Sequence, residues 1–340
     1  MMKTLATWFE DYNELAPHKG LRMLSPMEFI LQKKLNNHRI HAGLPKRRGS
    51  GELNSLTLDI NKYMEALYHY CSVQAFLGIL QSKMVWLSDA SKMNDSHESV
   101  WADKVVDRVL DERRLLMSEV DRRNFISGYR LNRPWPFLFC LSSEPDILSQ
   151  WRAYANDGTG VAIGFANSIF PRQKHYPGTN FASAYNTALW PVVYELEAQQ
   201  ITVNSLFDRA SISPGICVAE GGKPEYQLLG SLMAGLCPLL KNPAFQEEKE
   251  YRLVHTPRLM TDENNKHSLI GTDYTIKQRI AREQMITYFE YPLPKALVGV
   301  ISDVWIGPRS RLTKNDVELS LAINGYGNAS VKFSSATYRE

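Results

Sequence analysis

Cysteine is scarce in this 340-residue chain: Cys71, Cys140, Cys217 and Cys237 are the four, and no two form a Cys-x-x-Cys pair. Such spacing argues against a disulfide framework and against a structural zinc, so reduced thiols in a cytoplasmic protein are the expected state. Long apolar runs are missing too. None reaches the ~18 residues a membrane helix needs, so no membrane partner is expected. The opening Met-Met-Lys-Thr-Leu-Ala-Thr-Trp-Phe-Glu has no uninterrupted apolar core before its first acid, and a secretory signal is not expected. A large charge of one sign is absent as well. The net charge is +3, and residues 1–60 hold nine Lys/Arg against six Asp/Glu while the rest of the chain holds thirty of each. A neutral body gives no support to a broad electrostatic grip on nucleic acid, although a local groove remains open. What is present is an ordinary globular composition, 44% hydrophobic and 22% charged, in a chain long enough to bury a large core.

The order of apolar and polar residues predicts strands interrupted irregularly by helices, hence an α+β fold with mixed or antiparallel strands. Leu67–Ser72 alternates as a strand, and Val73, Phe76, Leu77 and Leu80 recur as on a helix capped by Ser72. Met84–Ser88 predicts a second strand. The polar turn Asn94-Asp95-Ser96-His97-Glu98 opens one long helix, Val100–Ile126, whose Arg113, Arg114, Arg122 and Arg123 fall on its solvated face. A strand over Phe137–Ser143, a helix through Ile147–Tyr154 and a strand over Val161–Phe165 follow. The intervening Asn156-Asp157-Gly158-Thr159-Gly160 reads as a turn, not as a phosphate cradle, because no helix follows its glycines. Strands are expected at Val192–Leu196, Met285–Tyr291, Leu297–Ile306 and Ser330–Ser334, with helices at Leu228–Leu240 and Lys314–Ile323.

The most suggestive stretch is Phe245-Gln246-Glu247-Glu248-Lys249-Glu250-Tyr251-Arg252-Leu253-Val254. Three carboxylates in four positions run into the alternation of a half-buried strand. A glutamate at a strand mouth has a fixed backbone beneath it and, on this expectation, solvent in front of it, which suits a catalytic carboxylate. An acidic turn balanced by Lys249 and Arg252 accounts for the same residues.

Two resemblances add to these readings. The Tyr12-Asn13, Pro17-His18, Leu21 and Ser25-Pro26-x-Glu28-Phe29 pattern within residues 7–32 resembles the C-terminal end of insertion-sequence transposases of the integrase-core type. Their acidic metal ligands would lie upstream of such a tail, so residues 1–33 are expected to be a remnant or extension. Residues 34–63, with the basic Lys46-Arg47-Arg48-Gly49-Ser50-Gly51, are expected to be an exposed linker to a domain over 64–340. The second resemblance spans about residues 66–339. It rests on Leu67-Tyr68-His69-Tyr70, Trp86-Leu87-Ser88, Asn94-Asp95-x-x-Glu98, Ser142 with Trp151 and Tyr154, Gly160-Val161-x-x-Gly164-Phe165, Glu248-Lys249-Glu250-Tyr251-Arg252, Ile306-Gly307-Pro308, Gly325-Tyr326 and Tyr338-Arg339. These marks resemble a widespread bacterial domain family of unknown function. Ser96-His97 departs from its usual Pro followed by an aromatic.

The order of those marks is similar to that of a distant ADP-ribosyltransferase, which implies an ADP-ribosyltransferase-like core and NAD as a substrate. The resemblance implies Glu250 as the carboxylate that stabilises an oxocarbenium-like ribose and Glu248 as the group orienting the nucleophile. Tyr154 or Trp151 would hold the cationic nicotinamide. His69, Ser72 and Ser142 would contact the nucleotide, and Arg252 would counter the pyrophosphate or pair with a glutamate. The acceptor would be a macromolecule, nucleic acid or protein, and the setting a toxin or antiphage effector with an antitoxin partner. Core packing accounts equally for a strand histidine and for Trp151 and Tyr154 at helical spacing. Two readings of other classes stay open: a metal-dependent hydrolase using Asp95, His97 and Glu98, with Glu250 as a further candidate, and a non-catalytic sensor or binding module.

Overall fold

A computed structural model describes residues 66–93, 98–131, 135–172, 177, 186–212, 225–261, 266–281 and 283–337. The expected tail (1–33), the linker (34–63) and the closing Tyr338-Arg339 lie outside them.

Strand β1 (Ala66–Cys71) passes through Ser72 into helix α1 (Val73–Ser82). The Ser72 hydroxyl accepts the Ala75 N–H at 3.2 Å, so the predicted N-cap forms. After β2 (Met84–Asp89), the single long helix expected from Val100 to Ile126 is instead two, α2 (Glu98–Glu112) and α3 (Glu119–Leu131). The break has a local cause. Ser118 Oγ accepts the Asp121 N–H and donates to its carboxylate, which starts a new helix, and Leu116 between the two is 74% exposed. The arginines are not one solvated face either: Arg113 donates to Asn204 Oδ1 at 2.6 Å and lies over the Phe207 ring, and Arg122 pairs with Asp111.

Strand β3 (Phe137–Ser142), helix α4 (Leu148–Tyr154) and strand β4 (Val161–Ala166) fall close to their expected places. The next strand does not. β5 is Thr187–Pro191, and Leu196, expected to end a strand, begins α5 (Leu196–Ile212). Pro191 cannot donate a ladder hydrogen bond, which suits the last residue of an outer strand. Helix α6 (Tyr226–Ala234) stops short of Leu240, where Pro238 sits in a 3₁₀ turn, Cys237–Leu239. Then come β6 (Glu250–His255), a separate hairpin of β7 (Arg258–Thr261) and β8 (His267–Ile270), β9 (Thr275–Ala281), β10 (Gln284–Pro292), β11 (Ile301–Ile306), α7 (Lys314–Ile323) and β12 (Ser330–Phe333). Helix α7 has the predicted bounds and starts with a Thr313–Asp316 capping box.

Ten strands form one sheet in the order β12-β11-β4-β1-β3-β2-β10-β9, with β6 branching from β3 and β5 pairing β6. All pairs are antiparallel except β11–β12, so the fold is α+β with a mostly antiparallel sheet. Helices α2, α3, α5 and α6 pack on one face around Val109, Phe125, Leu229 and Val254; α1 and α7 pack on the other around Leu80, Leu253 and Val317. Between β3 and β5, and covered on both faces, β6 is buried at every position, not half-buried as expected.

The branching at β3 positions the site. One edge of β3 pairs with β6 along its whole length, from Phe137↔His255 to Ser142↔Glu250. The other edge is shared: β1 meets it at Tyr68↔Ser142, and β2 at Ser88↔Leu138 and Asp89↔Phe137. Strands β1 and β2 therefore splay apart from one strand. In the gap between them, His69 Nδ1 lies 2.9 Å from the Cys140 carbonyl. No described helix is long and apolar enough to cross a membrane.

Candidate active site

Strand alternation sends Glu250, Arg252 and Val254 of β6 toward the layer of α2, α3, α5 and α6, and Tyr251 and Leu253 toward the other face. The approach to β6 is a 3₁₀ turn, Pro243–Glu248, closed by Lys249 in the left-handed region at φ 46°. That sharp turn brings the side chains of Glu248 and Glu250 together. Lys241, just before the turn, joins them: its Nζ lies 2.5 Å from Glu248 Oε2 and 2.9 Å from Glu250 Oε2. Arg252 completes the cluster with a bidentate grip, Nε on Glu250 Oε1 at 2.8 Å and Nη2 on Oε2 at 2.9 Å, while Nη1 donates to the Pro238 carbonyl.

The expectation of solvent in front of Glu250 is corrected by this geometry. Glu250 is 7% exposed and both its oxygens accept from cations. A carboxylate beneath a helical layer loses hydration, and two buried cations compensate it. Arg252 thereby takes the second of its two sequence readings, pairing with a glutamate. The carboxyls of two glutamates two residues apart are shifted in opposite directions. Burial opposes charge on Glu250, but Arg252 and Lys241 outweigh it and hold its carboxyl down to about 2. On Glu248 burial prevails over Lys241, and the carboxyl is raised above its ordinary value.

Around the pair, Tyr154 donates to Glu248 Oε1 at 3.3 Å, and Tyr194 accepts the Glu250 N–H at 3.1 Å. The Ser142 hydroxyl donates to the Glu248 carbonyl at 2.8 Å and accepts the Glu144 N–H, fixing the two chain segments to each other. Cys140 lies next to Glu250, and burial pushes its thiol well above the ordinary range. Tyr154 and Tyr194 are half-buried, and burial raises both hydroxyls.

Of the residues predicted from sequence, Glu248, Glu250, Arg252, Ser142 and Tyr154 come together here, and His69, Ser72 and Trp151 do not. His69 alternates with Tyr68, which pairs with Ser142 on the site face, so its ring lies toward the opposite face. It stacks on Phe139 at 4.2 Å, and burial holds it at about 4. Ser72 is engaged as the cap of α1. Trp151 is fully buried, edge-on to Tyr70 at 4.9 Å, with its indole N–H on Asp146 at 2.7 Å, so it has no open ring face. Asp95 and His97 lie outside the described residues, and Glu98 opens α2. Among the described residues no group of three His, Cys, Asp or Glu is placed to hold a metal ion.

Lys241, Tyr194 and Cys140 were missed. Lys241 lies between Leu240 and Asn242-Pro243, where apolar periodicity ends, and only its position seven and nine residues before the two glutamates hinted at a shared partner. The Asn156–Gly160 segment is the turn predicted for it, with positive φ at Asn156, Asp157 and Gly158. Its glycines serve packing: a Cβ on Gly160 would collide with the Cys71 carbonyl and one on Gly307 with the Gly158 carbonyl. The two loops are joined by Gly307 N–H to Gly160 O and Arg309 N–H to Gly158 O.

No curated protein and no solved structure matches this chain. A family model does match a part of it: residues 150–253, from α4 to β6 and including Lys241, Glu248, Glu250 and Arg252, are similar to a family described as "Protein of unknown function (DUF2971)".

Proposed function

We propose that the protein is an NAD-dependent ADP-ribosyltransferase that modifies a macromolecule, nucleic acid or protein, with Glu248 as the acting carboxylate and Glu250 as its positioning partner. The observation that carries the reading is the pair of glutamates bridged by one buried ammonium yet driven to opposite protonation behaviour. Two titratable groups pushed apart by their surroundings are the signature of divided acid, base and electrostatic roles. Glu250, clamped by Arg252, is a fixed negative charge. Glu248 is also buried, at 8% exposure, with Lys241 on one oxygen and Tyr154 on the other, but its carboxyl is raised and lacks a guanidinium clamp, so it is the one assigned the proton exchange.

In the proposed reaction the bond between ribose C1′ and the nicotinamide ring nitrogen breaks. Its electron pair passes to the ring, and the sugar becomes oxocarbenium-like. The acceptor's oxygen or nitrogen then bonds to C1′ and gives its proton to Glu248. Positive charge that appears only in the transition state is met by the carboxylate of Glu248, held in place by the clamped Glu250. In this reading the half-buried Tyr154, whose hydroxyl meets Glu248, would offer its ring face to the cationic nicotinamide, an interaction of roughly 0.5–2 kcal/mol.

The test is nicotinamide release from NAD by the full chain. Release that persists in chelator and disappears in Glu248→Gln supports the transferase. Activity abolished by the chelator would point to the hydrolase reading instead. The full compensation of Glu250 by Lys241 and Arg252 also favours a second reading, a non-catalytic binding module in which the cluster only fixes the fold; it predicts no release under any condition. A toxin or antiphage role follows from the first reading and predicts growth arrest on expression that Glu248→Gln relieves.

A further inference from the structure

A second polar cluster faces the same side of the sheet as the glutamates, four strands away. The registers Glu250↔Ser142, Ser142↔Tyr68, Tyr68↔Gly164 and Gly164↔Asp303 form one row straight across β6, β3, β1, β4 and β11. Residues directly opposite one another share a face, and four strand spacings amount to about 19 Å. At the far end, Asp303 is 4% exposed and fully engaged. Its Oδ1 accepts from Ser302 at 2.8 Å; its Oδ2 accepts from the Trp305 indole N–H at 2.9 Å, Lys332 Nζ at 2.8 Å and the Tyr68 hydroxyl at 3.5 Å. Gly164 makes this possible, because a Cβ there would overlap the Asp303 carboxylate and come within 2.9 Å of the Tyr68 ring.

A buried carboxylate is a costly way to hold a sheet together, and apolar residues of equal volume do it at least as well. What Asp303 yields is orientation. It pins two aromatic side chains and a cation, Tyr68, Trp305 and Lys332, all partly open to solvent, with Lys332 49% exposed and over the Trp305 ring at 5.3 Å. Preorganised aromatic planes beside an ammonium with one of three donors spent on Asp303 complement a flat heteroaromatic base and a phosphate. Tyr68, Tyr154 and Trp305 all pack on the buried cluster of Tyr70, Trp151, Ala155 and Ala162. Tyr154, which meets Glu248, and Tyr68 and Trp305, which meet Asp303, thus rest on one common buried cluster.

We propose that Tyr68, Trp305 and Lys332 form a mononucleotide subsite, the base lying against the aromatic side chains and its phosphate meeting Lys332, at the opposite end of the row from Glu250. The choice of a nucleotide rests on the transferase reading, in which the subsite takes the adenylate half of NAD. The about 19 Å between the Glu250 and Asp303 ends of the row is the scale of two nucleotides joined through their phosphates.

Calorimetric titration of the full chain with AMP tests the subsite without catalysis. AMP is expected to bind, with affinity reduced at least tenfold in Tyr68→Leu and in Trp305→Leu and retained in Trp305→Phe. Lys332→Met is expected to weaken AMP and leave adenosine unchanged. Thermal melting of each variant guards against unfolding. Binding that is absent in the wild type, or equal in all folded variants, overturns the proposal. AMP binding without nicotinamide release would sink the transferase and leave the subsite standing. Release with an NAD KM unaffected by Tyr68→Leu and Trp305→Leu would do the reverse.

Discussion

Replacing Arg252 by Met leaves the Glu250 carboxylate in place and removes its bidentate partner. Arg252 is 2% exposed and Glu250 7%, so water has little access to compensate the loss. Three hydrogen bonds of Arg252 vanish: two to Glu250, at 2.8 and 2.9 Å, and one to the Pro238 carbonyl at 2.9 Å. Breaking a buried ion pair from one side costs about 3–5 kcal/mol. Lys241 still holds Glu250 Oε2, so the lower part of that range, about 3 kcal/mol, is expected. For a domain of this size that corresponds to a fall in Tm of roughly 6–12 °C. Removing both partners, as in Glu250→Leu with Arg252→Met, should recover much of the loss, because no charge is then left uncompensated. Urea unfolding with the m-value monitored is the assay, a shift in midpoint at constant m being a change in stability. A loss below about 1 kcal/mol for Arg252→Met, the range of exposed pairs, would show that the cluster is solvated and that the electrostatic contrast between the two glutamates is mistaken.

His255 should give the fold an acid-sensitive step. It is fully buried between Thr187 and Thr272, and burial lowers it from 6.5 to about 4. Its folded value lies below the unfolded one, so its contribution is complete above pH ~6.5 and is lost as the pH falls toward 4. Proton uptake by the unfolded chain alone across that window amounts to about 3 kcal/mol, and unfolding midpoints measured from pH 7 to 4 should fall accordingly. A midpoint flat across that window would show that the ring is hydrated. Gly160→Ala should destabilise by about 1–3 kcal/mol through the overlap with the Cys71 carbonyl, read by thermal melting. Trp151→Phe should cost about 1 kcal/mol, since the indole hydrogen bond is lost while the half-buried Asp146 keeps Ser334 and Ser335, and should leave AMP binding unchanged; a weakened AMP affinity would place Trp151 at the ligand. Lys241→Met should move the pH profile of nicotinamide release to higher pH, since the ammonium lowers both carboxyls, and Lys241→Arg should restore it.

Legibility in the sequence followed how local each determinant is. The Ser72 cap, the Asn156–Gly160 turn and α7 depend on neighbours within a few residues, and they formed where expected. The helix over 100–126 misled because apolar spacing continued through Leu116, and the cap at Ser118 outweighed that periodicity. Strand β6 looked half-buried because Glu250 and Arg252 alternate with apolar residues. Each charge is in fact buried against the other, a pattern identical in sequence to solvent exposure. The carboxylate pair and Tyr154 were legible as chemistry, whereas Lys241 needed the fold to bring it to them. His69 and Trp151 are the converse: their side chains suit a nucleotide, but strand parity and burial take them elsewhere. The Glu250–Asp303 row lay beyond sequence reading altogether, because it depends on registers between strands far apart in the chain, such as Gly164↔Asp303 and Ser142↔Glu250.

The account stands or falls on the fate of the ADP-ribose unit. NAD labelled in the adenylate half, incubated with the full chain and cell-derived nucleic acid or protein, should yield nicotinamide and an equal amount of label covalently bound to one macromolecular fraction, with both lost in Glu248→Gln. Intact NAD after incubation, or label recovered only as free ADP-ribose, would contradict it.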